Sequence, residues 1–596
     1  MKKTVLYIFA ALFALLLLVP YGFMNRGKNV VSELDNRTLT EAPIFGEAGY
    51  QGKLEKYFSD RIGGRSLMIR VYTKLHDVLF NEMVHPTYTY GKNGYVFFKM
   101  APNVKYTSYH QHFAEAILQM QEYCEARGAK FYLLINPEKK SVYRRFLPDG
   151  VKYNDEWMDL FLAELDRLGV TYVSNVDYLQ QLSYTQQVFN RQYNAGHWND
   201  LGCFYGMNHL FARMHKDFPA VRELTFDDFD ITTRVQTSLQ VSEFSIYEEE
   251  PVFTPHTTFT NLTSTIQGEV KTHPSYRGLH YFANNADNAD QLPKLLIFQG
   301  SYLNGWAQYM FQNTSLEFGV HNYQNVFNLP YYFQLLDPDA VVFEIAEYVF
   351  TDDYFSESSM LSLDFPPALV RENEGQNIEA YVSSLPELNI SLDSIMIPGN
   401  GLDTIRVRDS FGMKYAWLVL NDRVLDLTNS ESGWFEALVI KNSVQEQSSA
   451  FLVIEDESGH RFRVPSNLRM AKELTDNDSL SFTDHVQNLS PETLTFDTDL
   501  NGNAFSYMTI QLYNTATQTY TTVVSSSEVG KMISVFYYHT DDAGDFQIYL
   551  RAHSNLEDQV ASIPIHLDSG QYLFFSFKID DFSDTHIEVS NFSVYY

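Results

Sequence analysis

The residues best able to do chemistry sit at two turns. Ser301 lies in "QGSYLNG", directly after the apolar run "KLLIFQ", and His197 lies in "YNAGHWNDL". A serine on a strand-to-helix turn exposes its hydroxyl and has helix N-terminal amides nearby to stabilise an oxyanion. A histidine in reach takes the hydroxyl proton and returns it to the leaving group, which is acyl-transfer chemistry. On spacing alone His197 beside Trp198 also fits a partly buried loop residue, and Ser301 an ordinary helix cap.

These residues need a scaffold, and the chain from Tyr106 to Ala346 alternates helix-like and strand-like runs, the pattern of a parallel sheet flanked by helices. "HFAEAILQMQEYCEARG" reads as a helix stopped by Gly128, and "KFYLLIN" as a buried strand. "DEWMDLFLAELDRLG" and "TYVSNV" repeat that pair. "QVFNRQ" is predicted as a short strand leading to His197, "DLGCFYGMNHLFARM" as a helix, and "KLLIFQ" and "AVVFEIA" as two further buried strands. "WAQYMF" is helix-like. In open parallel sheets reactive groups gather at the carboxyl ends of strands, where both candidates fall.

At 596 residues the chain exceeds one hydrophobic core. An uncharged stretch from Thr4 to Met24, preceded by Lys2 and Lys3, is long enough to cross a bilayer and lacks a small-residue cleavage site, so residues 1–25 are read as an uncleaved single-pass anchor with the bulk of the chain outside the cell membrane. A cleaved signal peptide is the alternative. Residues 26–371 form the expected α/β domain, with two helices in 50–83 broken at Gly63 and Gly64 and a β-rich insertion at about 218–290. Short alternating runs beyond Glu372 indicate all-β domains, a sandwich at 372–472 and a jelly roll at 473–596.

The net charge of −31 argues against electrostatic attraction to nucleic acid or an anionic membrane surface, because phosphate binding needs clustered Lys and Arg. Cys124 and Cys203 are expected as buried hydrophobes rather than a disulfide. No glycine-rich phosphate loop, CxxC pair or HExxH helix is present, so no cofactor or metal is expected. Asp497, Asp499, Asn501 and Asn503 read as a hairpin turn rather than a calcium loop. Fifteen per cent of residues are aromatic. Tyr507, Tyr513, Tyr520, Tyr537 and Tyr538 are candidates to stack on sugars in a carbohydrate-binding role, although alternation turns about half of such rings inward.

The order of motifs resembles the SGNH-hydrolase-like proteins of alginate and related exopolysaccharide O-acetylation, which carry a D-x-H-W loop and, downstream, a G-D-S-[FY] turn. "AGHWNDLG" and "QGSY" stand at those places, with "LDNRTL", "YFSDRIGGRSLMIR", "YGKNGYVFF", "INPEKKSVYRRFLP" and "DPDAVVFEIAEYVF" in order over roughly residues 33 to 355. The resemblance implies Ser301 as nucleophile and His197 as base, with Trp198, Asn194, Ala195, Gly300 and Tyr302 around them. It implies an O-acetyltransferase or acetylesterase acting on a cell-surface polysaccharide, with a membrane-bound O-acyltransferase as partner. Three positions depart from the pattern: Ala195 and Gly300 replace aspartates, and Tyr348, after Glu347, replaces an arginine. Asn194 and Asp200 are the residues near enough in sequence to supply a substitute acid. The alternative is a catalytically impaired relative, a pseudoenzyme that binds polysaccharide or scaffolds a complex.

Overall fold

The computed structural model describes most of residues 21–596. Residues 1–20 other than Tyr7, Phe9 and Phe13 lie outside the description, as do 28–29, 33–36, 47–48, 81, 86, 100–103, 240–243, 273–277, 306–309, 371–376, 389–393, 400, 409–411, 421–422, 431–433, 446, 471–480, 483–485, 491–492, 499–503, 528, 531, 540–541, 555–557, 570–571 and 596. The expected anchor, most of "WAQYMF", the break at 473–482 and much of the Asp497–Asn503 turn therefore fall outside it. Among the described residues no helix is long and apolar enough to cross a membrane.

Among the described residues thirteen strands precede the C-terminal region: β1 (Val31–Ser32), β2 (Arg37–Thr38), β3 (Tyr88–Tyr90), β4 (Val96–Phe98), β5 (Lys130–Asn136), β6 (Tyr172–Ser174), β7 (Phe229–Ser238), β8 (Ser245–Pro255), β9 (Phe259–Asn261), β10 (Leu279–Asn284), β11 (Leu295–Gln299), β12 (Leu316–His321) and β13 (Ala340–Ala346). Seven of them form the central sheet in the order β6-β5-β13-β11-β12-β10-β9. The first five of that order run parallel, and β10 and β9 join antiparallel at the edge. β5, β11 and β13 are almost wholly buried because helices cover both faces, which is why they read as unbroken apolar runs.

The helices follow the apolar periodicity. Ser108–Glu125 and Glu156–Leu168 pack on one face of the sheet, the latter ended by Gly169 in the left-handed region. Asp200–Met214 packs on the other face with Trp198, Cys203 and Tyr302. This helix approaches closely because it has no side chain at two positions: a Cβ on Gly206 would lie 2.5 Å from the Trp198 ring, and one on Gly202 would collide with the Val188 carbonyl. Cys124 and Cys203 are both buried and free.

Two expectations about elements need correction. "QVFNRQ" is not a strand: its amides bond side chains rather than a neighbouring strand, as described below. The 218–290 segment is β-rich, as expected. It contributes the β7–β8 hairpin, while β9 and β10 extend the central sheet. The region expected as a sandwich at 372–472 is a closed seven-stranded barrel of Ser394–Pro398, Leu402–Arg408, Met413–Leu420, Arg423–Ser430, Trp434–Ile440, Gln447–Asp456 and Arg461–Met470. It closes because its first strand pairs in parallel with its last, Ser394 opposite Leu468, which removes both edges. The barrel docks on the α/β domain through Asp426, whose carboxylate accepts hydrogen bonds from Tyr123, Arg127 and Gln334.

Beyond the barrel, two five-stranded antiparallel sheets enclose a core built from Phe496, Ile510, Ile548, Leu573 and Val589. On one outer surface Tyr513, Tyr520 and Tyr549 lie against one another, with ring centroids 4.6 to 6.0 Å apart.

Candidate active site

β11, β13 and β5 are adjacent, and their carboxyl ends deliver three groups of residues to one place. Ser301 follows β11 on a single 3-10 turn, Ser301–Leu303. Glu344, Glu347 and Tyr348 come from the end of β13, and Asn136 to Lys139 from the end of β5. His197 arrives on the loop that precedes the Asp200–Met214 helix. Its Nε2 lies 2.7 Å from the Ser301 Oγ. Tyr348, seen in the sequence only as a departure, places its hydroxyl 2.6 Å from the same Oγ.

Trp198 and Tyr302 bind the two turns to each other. Trp198 Nε1 donates to the Tyr302 carbonyl at 3.1 Å, and the Tyr302 hydroxyl donates to the Gly196 carbonyl at 2.6 Å and also to the Pro137 carbonyl. Both rings are buried. The serine turn and the histidine loop are thus held in register by residues immediately adjacent in sequence to Ser301 and His197.

The histidine loop is irregular because acids from β8 take its amides. The buried Glu248 carboxylate accepts from the amides of Arg191, Gln192 and Tyr193. Glu250 accepts from Asn190, and the Phe253 amide donates to Asp200. From the other side the wholly buried Lys139 Nζ donates to the carbonyls of Val96, Arg191 and Asn194 at 2.7, 3.0 and 3.1 Å. Burial pulls the Lys139 amine down to about 7.

Neither expected substitute acid serves His197. Asn194 Oδ1 accepts from the amides of Gly196 and His197, shaping the loop. Asp200 is the first residue of its helix, capped by Asn199, and its carboxylate faces the Phe253 amide. The Ala195 methyl lies in an apolar cluster with Met83, Tyr88, Val96 and Leu239. Among the described residues nothing hydrogen-bonds His197 Nδ1, and burial alone lowers its pKa to about 4.

The serine turn has a different solution. Glu344 Oε2 accepts the Gly300 amide at 2.6 Å, and its Oε1 accepts from Asn136 at 3.0 Å. Asn175 continues the chain to Asn136 at 3.0 Å and meets His209 Nδ1 at 3.0 Å. A Cβ on Gly300 would lie 2.7 Å from the Tyr323 ring and 2.9 Å from Glu344 Oε2, so a neighbouring strand already fills the place of a side chain there. The Gly300 amide is consequently committed to Glu344 and is not free for an oxyanion. Glu347 braces the segment after β5, accepting from the Glu138 amide at 2.6 Å and from Ser141 and Tyr153. Burial raises both carboxyls, Glu344 and Glu347, to about 7.

Tyr348 is separated by one ring from a cleft that it does not itself line. Its ring meets Tyr354 edge-on at 5.7 Å, and Tyr354 lines an open cleft of about 450 Å³ with Gln324, Asn325, Asn328, Asp352 and Asp353. No group of His, Cys, Asp and Glu among the described residues could hold a metal ion.

Parallel strands ending in a serine turn, with a histidine loop packed across it, give an α/β domain that carries a Ser–His pair. The sequence matches no protein family, and no curated protein matches it. Among solved structures, the chain is similar to Bacillus cereus PatB1 carrying a sulfonyl adduct, with 15% identity over 47% of this chain and 97% of that one and a TM-score of 0.36. It is similar to the O-acetyltransferase domain of Pseudomonas putida AlgJ, with 14% identity, 50% and 98% coverage and a TM-score of 0.31. Pseudomonas aeruginosa AlgX matches at 10% identity, 63% and 90% coverage and a TM-score of 0.30.

Proposed function

We propose that this chain is an acyl-transfer protein of the cell surface, held at the membrane by the Thr4–Met24 segment, which moves acetyl groups on the hydroxyls of a polysaccharide through Ser301. The observation that carries the reading is the 2.7 Å contact between His197 Nε2 and Ser301 Oγ. In the first half-reaction Ser301 Oγ attacks the acetyl carbonyl carbon and its proton passes to His197 Nε2. The tetrahedral intermediate then expels the donor's oxygen, which takes that proton, and leaves acetyl-serine. A sugar hydroxyl or water reverses these steps. A membrane-bound O-acyltransferase is the proposed source of acetyl.

Tyr348 completes the site. Burial pushes its phenol pKa up, so it is neutral and donates to Ser301 Oγ while that oxygen's own proton points to His197. This hydrogen bond favours negative charge on Oγ both in attack and when Oγ leaves. The amide and carboxylate lining of the adjacent cleft, with Tyr354 at its wall, suits a sugar's hydroxyls and apolar face.

A second reading, a binding or scaffold protein with an idle site, is favoured by the unpartnered His197 Nδ1, which leaves the imidazolium unsupported. In this reading the Tyr513, Tyr520 and Tyr549 surface would stack on glycan. Labelling decides between the two. A fluorophosphonate should modify Ser301 in the full chain, and His197→Ala should abolish the adduct. Folded protein that takes no label under these conditions, yet is retarded in a polysaccharide affinity gel, would establish the second reading instead.

A further inference from the structure

The helix Arg65–Phe80 carries an apolar face that the fold does not use. Leu67, Met68, Val71, Leu75, Val78 and Leu79 are each at least half exposed, as is Tyr72. At 100° per residue these positions fall within an arc of about 140°. The opposite side is the one that packs on the protein: Thr73 is buried and bonds the Val84 carbonyl, and Asp77 accepts from the Tyr90 hydroxyl at 2.8 Å. The exposed stripe is therefore the outer face of a docked helix.

Charge and position say what covers it. Residues 50–80 hold six Lys and Arg against three Asp and Glu, in a chain whose net charge is −31. Arg65 and Lys74 sit at opposite borders of the apolar arc, where long cationic side chains can reach past a buried face to polar headgroups. Residues 21–25 lie at the same spot. Asn25 donates its amide to the Arg61 carbonyl at 2.9 Å, the Tyr21 and Phe58 rings meet at 5.8 Å, and a Cβ on Gly63 would lie 2.6 Å from Phe23. The Tyr21–Met24 end of the apolar stretch thus packs against the Gly63–Gly64 elbow from which this helix starts.

We infer that the Arg65–Phe80 helix lies flat in the headgroup region of a bilayer containing anionic phospholipid, its Leu67–Leu79 stripe inserted among the acyl chains. This surface is independent of the Ser301 site. It gives the protein a second membrane contact, one that fixes the orientation of the α/β domain rather than merely tethering it. The chain as a whole carries a net charge of −31, so this basic, apolar edge departs from its general acidity.

The two native cysteines are fully buried, so an introduced one can be labelled alone. Leu75→Cys and Leu79→Cys, and Lys216→Cys at an exposed site in the turn after the Asp200–Met214 helix, would each carry an environment-sensitive fluorophore in the full chain. The protein would be reconstituted into vesicles of phosphatidylcholine and phosphatidylglycerol at three to one. Brominated acyl chains should quench the probes at 75 and 79 at least twofold more than the probe at 216. Arg65→Glu with Lys74→Glu should reduce that quenching at least twofold. Equal quenching at all three sites overturns the inference. So does disulfide crosslinking between two copies through Leu75→Cys or Leu79→Cys in place of quenching, which would assign the stripe to a second copy of the chain. Quenching that is the same in vesicles of phosphatidylcholine alone removes the anionic lipid from the proposal.

Discussion

The serine turn and the histidine loop both lack an aspartate that the sequence pattern leads one to expect, and they lack it for different physical reasons. At Gly300 a carboxylate is still present, delivered by Glu344 from the neighbouring strand, and it holds the turn by its backbone. At Ala195 no carboxylate replaces the missing one, and the methyl group sits among Met83, Tyr88, Val96 and Leu239. One half of the site is held by an acid from the neighbouring strand; in the other half no acid among the described residues supports the imidazole, and Asn194 shapes the loop. A sequence departure at a motif is thus not a uniform sign of lost function, since the same change is compensated at one position and not at the other.

Restoring the two aspartates should separate these cases most sharply. Gly300→Asp forces a side chain into the Tyr323 ring and a second carboxylate against Glu344. The expected loss is about 4 kcal/mol or more, from overpacking together with like-charge repulsion. Ala195→Asp buries a carboxylate among apolar groups without setting it against another acid, and should cost about 2 to 3 kcal/mol while still folding. Urea unfolding of the two variants checks the order. If Gly300→Asp proved the milder change, the substitution by Glu344 would be wrong.

The next effect tests what holds the histidine loop. Glu248 receives three backbone amides of that loop, and hydrogen bonds to a charged acceptor are each worth about 1.5 to 3 kcal/mol. Glu248→Ala should therefore lower stability by about 3 kcal/mol, allowing for water replacing part of what is lost. Fluorophosphonate labelling of Ser301 should slow about a hundredfold, because His197 loses its position. The corresponding change at the serine turn, Glu344→Gln, retains an acceptor for the Gly300 amide and should slow labelling less than tenfold. Equal effects would erase the contrast between a loop propped from outside and a turn held by its own sheet.

How much of this was legible in the sequence follows the same division. The parallel sheet could be read because each buried strand and amphipathic helix carries its period within a dozen residues, as "KFYLLIN" and "DEWMDLFLAELDRLG" do. Ser301 and His197 could be paired because each sits in a short local pattern. The supports could not. Glu248 acts on residues more than fifty positions away, Lys139 joins three separate carbonyls, and neither leaves a periodic trace. "QVFNRQ" was misread as a strand for this reason, since its composition is strand-like and its amide partners are distant. The barrel was misread as a sandwich because closure depends on the pairing of its first and last strands, which lies in register and not in composition. Glu344 did leave a signal, a lone carboxylate within the otherwise apolar "AVVFEIA".

Tyr348→Phe removes one hydrogen bond from Ser301 Oγ and leaves the rest of both halves in place. A bond that strengthens as charge develops is worth about 1.4 kcal/mol here, so labelling should slow about tenfold with unchanged urea stability. Tyr348→Arg, the residue the family pattern places there, brings a donor of the right kind and should recover part of that loss. An unaltered rate in Tyr348→Phe would confine the tyrosine to packing.

The mildest test is the pH profile, which reads the histidine half directly. Transfer from Ser301 needs neutral His197, and burial without a partner acid lowers its pKa from 6.5 to about 4. Labelling should therefore be level from about pH 5 to 8 and fall only as pH drops through about 4, whereas an acid-supported histidine would lose activity near or above 6.5. The same shift acts on stability with a definite sign. Between pH 6.5 and 4 the unfolded chain binds a proton at this residue that the folded chain refuses, so this contribution is complete above 6.5 and drains away as pH falls through that window. Glu344 on the serine side runs the other way. Its carboxyl is raised to about 7, so its contribution is complete below the unfolded value of 4.5 and is lost as pH rises through 7. His197→Gln should flatten the acid-side loss of stability, and Glu344→Gln the neutral-side one. If His197→Gln left the acid-side slope intact, the slope would belong to other groups and the histidine's isolation would have to be reconsidered.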